Sequence, residues 1–128
     1  MSNLIFIAIG GAAGALLRYS VSGFVHNYAN GAFPWGTMVV NLSGCLVIGF
    51  LWQMFENFSF SPNMRSFIFI GVLGGYTTFS TYGLETFNFM REKEIGDALL
   101  NFLGSNILGI GMVFLGFIAA RYLSGIAR

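Results

Sequence analysis

Gly74-Gly75-Tyr76-Thr77-Thr78-Phe79-Ser80-Thr81-Tyr82-Gly83-Leu84-Glu85 lies inside an otherwise apolar stretch that runs from Ser66 to Met90. Paired glycines, a cluster of hydroxyls and a carboxylate would be ordinary in water. In hydrocarbon they are costly, and such groups face a protein interior or a watery path. The reading of this stretch therefore depends on the solvent.

Composition decides the solvent. Hydrophobic residues make up 55% of the 128 and charged residues only 9%, whereas soluble domains carry roughly 25% charged residues. Mean hydropathy is +0.73, so the chain lacks the polar surface that would hold a globule of its size in water. A net charge of +1 without any basic run excludes a nucleic-acid binder. Cys45 is the only cysteine and has no intrachain partner, and a single His cannot assemble a zinc or iron site with it. Neither a Ser-His-Asp nor a Cys-His arrangement can be drawn, so enzymatic chemistry is not expected.

Working outward, four apolar stretches are each long enough to cross a ~30 Å hydrocarbon core: roughly 4–25, 36–55, 66–90 and 95–123. The first reads as a retained span rather than a cleaved leader. The connections are polar or rich in breakers, from His26 to Trp35, Glu56 to Met64 and Arg91 to Glu94. Residues 1–128 thus read as a single all-α membrane domain of four helices. Gly10-x-x-x-Gly14 and Gly71-x-x-x-Gly75 have the small-residue spacing that lets membrane helices approach closely. Flanking cations balance: Arg65, Arg121 and Arg128 lie on the side of the termini, and Arg91 and Lys93, with Arg18 if it reaches the end of its span, lie on the other. A chain without charge bias has no strong reason to insert one way only, which makes dual topology an expectation.

Three spans carry polar stripes at helical spacing. Thr37 and Asn41 share a face of the second, Thr78, Thr81, Glu85 and Asn88 a face of the third, and Asn101 and Ser105 a face of the fourth, with Asn106 adjacent. Single hydroxyls of this kind serve as interhelical glue, whereas three aligned stripes with a carboxylate suit a conduction pathway. Glu85 is either pore-lining or paired with Arg18, and Arg18 is either structural or part of an anion-attracting vestibule. The glycine pair followed by Thr77-Thr78 either kinks the third helix for packing or breaks it. A break would free carbonyls suited to a cation and amides suited to an anion.

At these residues the sequence resembles the small fluoride channel family, Fluc/CrcB. The matching pieces are Gly10-Gly11-x-x-Gly14-Ala15-x-x-Arg18, Pro34-x-Gly36-Thr37-x-x-x-Asn41-x-x-Gly44, and Gly71-x-x-Gly74-Gly75-x-Thr77-Thr78-Phe79-Ser80-Thr81 with Glu85. The resemblance implies an antiparallel dual-topology homodimer in a microbial plasma membrane, with a broken third helix and two pores at the subunit interface that pass fluoride passively. It implies that Asn41 is a pore-facing donor and that Phe79 meets the ion with its ring edge. Thr37, Ser80, Thr81, Tyr82, Glu85 and Ser105 would border the path, and Arg18 would lie near a vestibule. The carbonyls of Gly74 and Thr77 would hold a structural sodium ion. The family pattern continues Phe-Ser-Thr-Phe-Ser, but here Tyr82 and Gly83 stand at the last two positions. Two rivals remain: a small proton-coupled multidrug exchanger, which would want a carboxylate in the first span where there is none, and a structural subunit of a larger complex.

Overall fold

The computed structural model describes residues 1–126, and among these every regular element is helical. Arg128, counted above among the flanking cations, lies outside the described residues. Four helices are long and apolar enough to cross a membrane: Ser2–Tyr28, Trp35–Asn57, Pro62–Arg91 and Ile95–Gly125. The first three extend past their apolar stretches at both ends and the fourth at its C-terminal end. Polar residues such as Asn57 and Arg91 continue the helical hydrogen bonding after hydropathy has dropped.

Most of the large apolar side chains are exposed, Leu16, Ile70, Ile107 and Phe114 among them. That surface would be untenable in water and is ordinary against lipid tails. The helices associate in two pairs, the first span on the first half of the third and the second span on the fourth. Both contacts depend on absent side chains. A Cβ on Gly14 would collide with the Val72 carbonyl, and one on Gly71 would meet the Gly10 backbone, so the two small-residue motifs face each other. In the other pair, Gly49 lies against the Val113 carbonyl and Gly116 against that of Leu46. Backbones this close gain dispersion contacts along their whole length.

Two spans depart from regular α geometry. Ser66–Leu73 and Gly104–Leu108 are π-helical, with a wider turn. Helical geometry also stops midway along the third span: Thr77 (φ −78, ψ 158) and Thr78 (φ −147, ψ 121) are extended before a helix resumes at Phe79–Arg91.

The turns follow from local chemistry. Ser61 caps the start of the third span by accepting from the Met64 N–H at 3.2 Å, with Pro62 in the first helical position, where its missing N–H costs nothing. The same span ends in a Schellman motif, with Glu94 N–H on Phe89 O at 2.8 Å and Lys93 N–H on Met90 O at 3.2 Å. Lys93 therefore adopts φ 64, a left-handed position that favours glycine. Lys93→Gly should stabilise the protein by about 1 kcal/mol, read as a shifted midpoint of reversible unfolding in mixed micelles; an unchanged or lowered midpoint would show that the lysine makes a compensating contact.

Candidate functional site

The polar stripes converge on the extended pair. Breaking a helix at mid-span leaves peptide groups without partners, each costing several kcal/mol in hydrocarbon. Asn41 of the second span answers both groups of Thr78 at once: its Oδ1 accepts from the Thr78 N–H at 2.8 Å, and its Nδ2 donates to the Thr78 carbonyl at 3.0 Å. Asn41 is thus a clamp on the backbone with one Nδ2 proton left over. Diverting the Thr78 N–H to Asn41 also removes the α-helical partner of the Gly74 carbonyl. Gly44, one turn further along, leaves room for Thr77 to sit against the second span.

Thr78 then begins the next helix. Its Oγ1 accepts from the Thr81 N–H at 3.2 Å, an N-cap, and lies 3.1 Å from Thr81 Oγ1 and 3.4 Å from Ser80 Oγ. A helix N-terminus carries partial positive charge, here placed at mid-membrane depth beside three clustered hydroxyls. Ser80 and Thr81 are exposed, and Phe79 beside them is 82% exposed.

A cavity lies on each side of Thr78, which lines both. The outer, of about 690 Å³, is bordered by Arg18, His26, Thr37, Thr81 and Glu85. The inner, of about 330 Å³, is bordered by Asn41, Gly74, Thr77, Phe79, Tyr82, Ser105 and Asn106. In the outer cavity Thr37 Oγ1 donates to Glu85 Oε1 at 2.6 Å, while the buried Oε2 has no partner among the described residues. Arg18 is turned toward the third span: its Nη1 donates to the Thr77 carbonyl at 3.2 Å. That position removes it from the flanking charges and leaves Arg65, Arg121 and Arg128 against Arg91 and Lys93. His26, read from sequence as part of the first loop, belongs to the last turn of the first span, where a cation is favoured by the helix dipole.

In the inner cavity the rings of Phe79 and Tyr82 are tilted at 53° with centroids 5.6 Å apart. Tyr82 is 7% exposed, and its hydroxyl accepts from Asn106 Nδ2 at 2.8 Å. Ser105 is within 3.4 Å of Asn101 Oδ1. Asn101 itself, 1% exposed, donates to Thr86 Oγ1 at 3.0 Å and so ties the fourth span to the third. The stripes read from sequence meet in this way. Thr86 was not among them, because its hydroxyl sits one position beyond Glu85 and off that stripe.

The donor set for a cation is of a recognisable kind. Among the described residues there is no group of three or more His, Cys, Asp or Glu that could hold a metal, but neutral carbonyl oxygens suit a hard monovalent ion. The Gly74 carbonyl lacks its helical partner and Gly74 is exposed. The Thr77 carbonyl already receives Arg18 on one lone pair and keeps another. The two carbonyls are oxygen donors of the kind a hard cation takes, although the Arg18 guanidinium on the Thr77 carbonyl sets a positive charge beside any ion bound there.

Comparison with known proteins identifies the family. Residues 5–117 match the model of the CrcB-like protein, Camphor Resistance (CrcB) family. The chain is 45% identical to a Fluoride-specific ion channel FluC of Parabacteroides distasonis over 121 residues, 94% of each chain. It is 44% identical to one of Salinibacter ruber, covering 98% of this chain and 94% of the relative, and 42% identical to one of Desulforapulum autotrophicum, covering 94% and 98%. A four-span membrane fold, a glycine-paired third span clamped by an asparagine, and similarity of this extent along nearly its whole length make the chain a member of the CrcB family.

Proposed function

We propose that the chain is the subunit of a fluoride channel that exports fluoride passively across the plasma membrane of a microbial cell. The observation that carries this reading is the mid-membrane restart of the third span at Thr78, where a helix N-terminus, a hydroxyl cluster and two cavities come together. Half-helix N-termini placed at this depth are suited to anions. A small, tightly hydrated anion loses its water only where fixed donors replace it, and Ser80, Thr81 and the spare Nδ2 proton of Asn41 supply them. The positive edges of the Phe79 and Tyr82 rings add to this.

The working unit is read as an antiparallel dual-topology homodimer with a pore on each side of the interface. Ser80, Thr81 and Phe79 are exposed at mid-span in a single chain, and hydroxyls there are costly against lipid unless covered. A second copy with the opposite orientation covers them and completes the path. The near balance of Arg65, Arg121 and Arg128 against Arg91 and Lys93 suits insertion both ways. The extended Thr77–Thr78 pair is then the functional break of the third helix. Sodium is proposed at the carbonyls of Gly74 and Thr77, where, when bound, it adds fixed positive charge near the path and lowers the cost of an anion in low dielectric.

Purified protein in liposomes loaded with potassium fluoride should release fluoride when a potassium ionophore is added, without proton coupling. Absence of release, or release only with a proton gradient, would return the chain to the exchanger or structural-subunit readings.

A further inference from the structure

Tyr82 is where the chain leaves its family's sequence pattern, and Asn106 on the fourth span is its partner. Asn106 Nδ2 makes two hydrogen bonds, to the Phe102 carbonyl at 2.7 Å and to Tyr82 Oη at 2.8 Å. The Phe102 carbonyl can only accept, so the amide atom on it must be nitrogen, and the orientation of the amide is fixed by chemistry. Both Nδ2 protons are then engaged, one of them on a lone pair of the Tyr82 hydroxyl.

That arrangement dictates what the phenol can do. With Asn106 donating to it, Tyr82 Oη keeps its own proton for another acceptor, and no acceptor for it exists among the described residues. The ring is buried and borders the inner cavity together with Phe79, Thr78 and Asn41. A hydroxyl that already accepts a hydrogen bond is polarised toward donating a stronger one.

We propose that Asn106 is a positioning residue that locks the Tyr82 hydroxyl as a donor, and that this hydroxyl is an anion-binding donor of the inner cavity with a preference for a small, hard anion. The inference rests on the fluoride-channel reading. A phenylalanine at position 82 would offer only a ring edge. The Tyr82–Asn106 pair adds a directional O–H to it, and O–H donors discriminate most strongly in favour of the halide that accepts hydrogen bonds best. Asn106 acts through Tyr82 and not on the ion, so its effect vanishes when the hydroxyl is gone.

The test compares wild type, Tyr82→Phe, Asn106→Leu and the double variant in proteoliposomes, with fluoride efflux measured over a range of internal fluoride. Each single variant should weaken apparent fluoride affinity by roughly tenfold to a hundredfold, the worth of one hydrogen bond to an ion, and the double should be no worse than Tyr82→Phe alone. A second readout does not depend on flux: with ring-labelled tyrosine, the Tyr82 Cζ resonance, assigned by its loss in Tyr82→Phe, should shift on adding fluoride in wild type and not in Asn106→Leu. Tyr82→Phe preserves the ring volume and keeps the test decisive if Asn106→Leu fails to fold. Wild-type efflux with no change in Tyr82→Phe and no fluoride-dependent shift overturns the inference while leaving the channel reading standing. An Asn106→Leu defect equally large in the Tyr82→Phe background also overturns it. Lack of efflux from wild type defeats the channel reading and this inference with it.

Discussion

Asn41→Asp should lower fluoride efflux by about a hundredfold or more, because it acts on the backbone and on the path together. The carboxylate still accepts from the Thr78 N–H but has no proton for the Thr78 carbonyl, so an oxygen stands where Nδ2 donated at 3.0 Å and repels the carbonyl oxygen. Leaving a buried carbonyl unpaired costs about 1–3 kcal/mol. The new charge also borders the inner cavity, where a unit charge 4 Å from a passing anion repels it by about 4 kcal/mol at an effective dielectric constant of 20. Efflux from proteoliposomes, with gel filtration to confirm an intact assembly, reads the outcome. Undiminished flux would remove Asn41 from the path and leave it only as a structural clamp.

The largest loss of stability is expected from Gly14→Val. The added side chain would enter the Val72 carbonyl and the Tyr76 N–H, both of them backbone that cannot swing aside as a side chain can. Overpacking typically costs 1–3 kcal/mol and more where nothing yields, and here it pries the first span from the half of the third span that leads into Thr77. The variant should lose both its folded yield in detergent and its fluoride efflux. Gly96→Ala is the matching control. That glycine is exposed, a Cβ there meets nothing, and the change should be neutral or stabilise by up to about 1 kcal/mol. Equal damage from both would mean that helix–helix contact is not what Gly14 protects.

The parts of the molecule legible in sequence are those written in local pattern. Hydropathy located four spans, and spacing placed Thr37 with Asn41, and Thr78 with Thr81 and Glu85, because positions three or four apart share a helix face whatever the tertiary fold. Gly10, Gly14, Gly71 and Gly75 announced close packing for the same reason. What stayed hidden depends on which stripe meets which. Arg18 reads as an interfacial cation from its place near a span end, yet the approach of the first and third spans delivers it to the Thr77 carbonyl. Asn41 reads as a free donor, and only the juxtaposition of two spans reveals that its amide is engaged by Thr78 on both sides. Asn106 looked incidental beside Ser105, since nothing local tells that a tyrosine hydroxyl on another helix lies 2.8 Å away.

The π-helical stretch Gly104–Leu108 has a bearing on chain length. Buried or cavity-lining positions on the fourth span fall at Asn101, Ser105 and Gly109, in successive steps of four. An α-helix turns once every 3.6 residues, so a stripe with steps of four drifts sideways by roughly 40° at each step. The wider turn absorbs that drift and holds the three positions in line. Such a turn is equivalent to a single inserted residue. Losing one residue within Gly104–Leu108 would let the turn relax to α geometry and keep Gly116 against the Leu46 carbonyl, whereas losing one from the regular helix between Gly109 and Gly116 would rotate Gly116 away by about 100°. The fourth span is thus tolerant of a deletion within its wide turn and intolerant of one in the helix that follows, and the surplus residue marks where the span can change length without losing the phase between cavity and packing face.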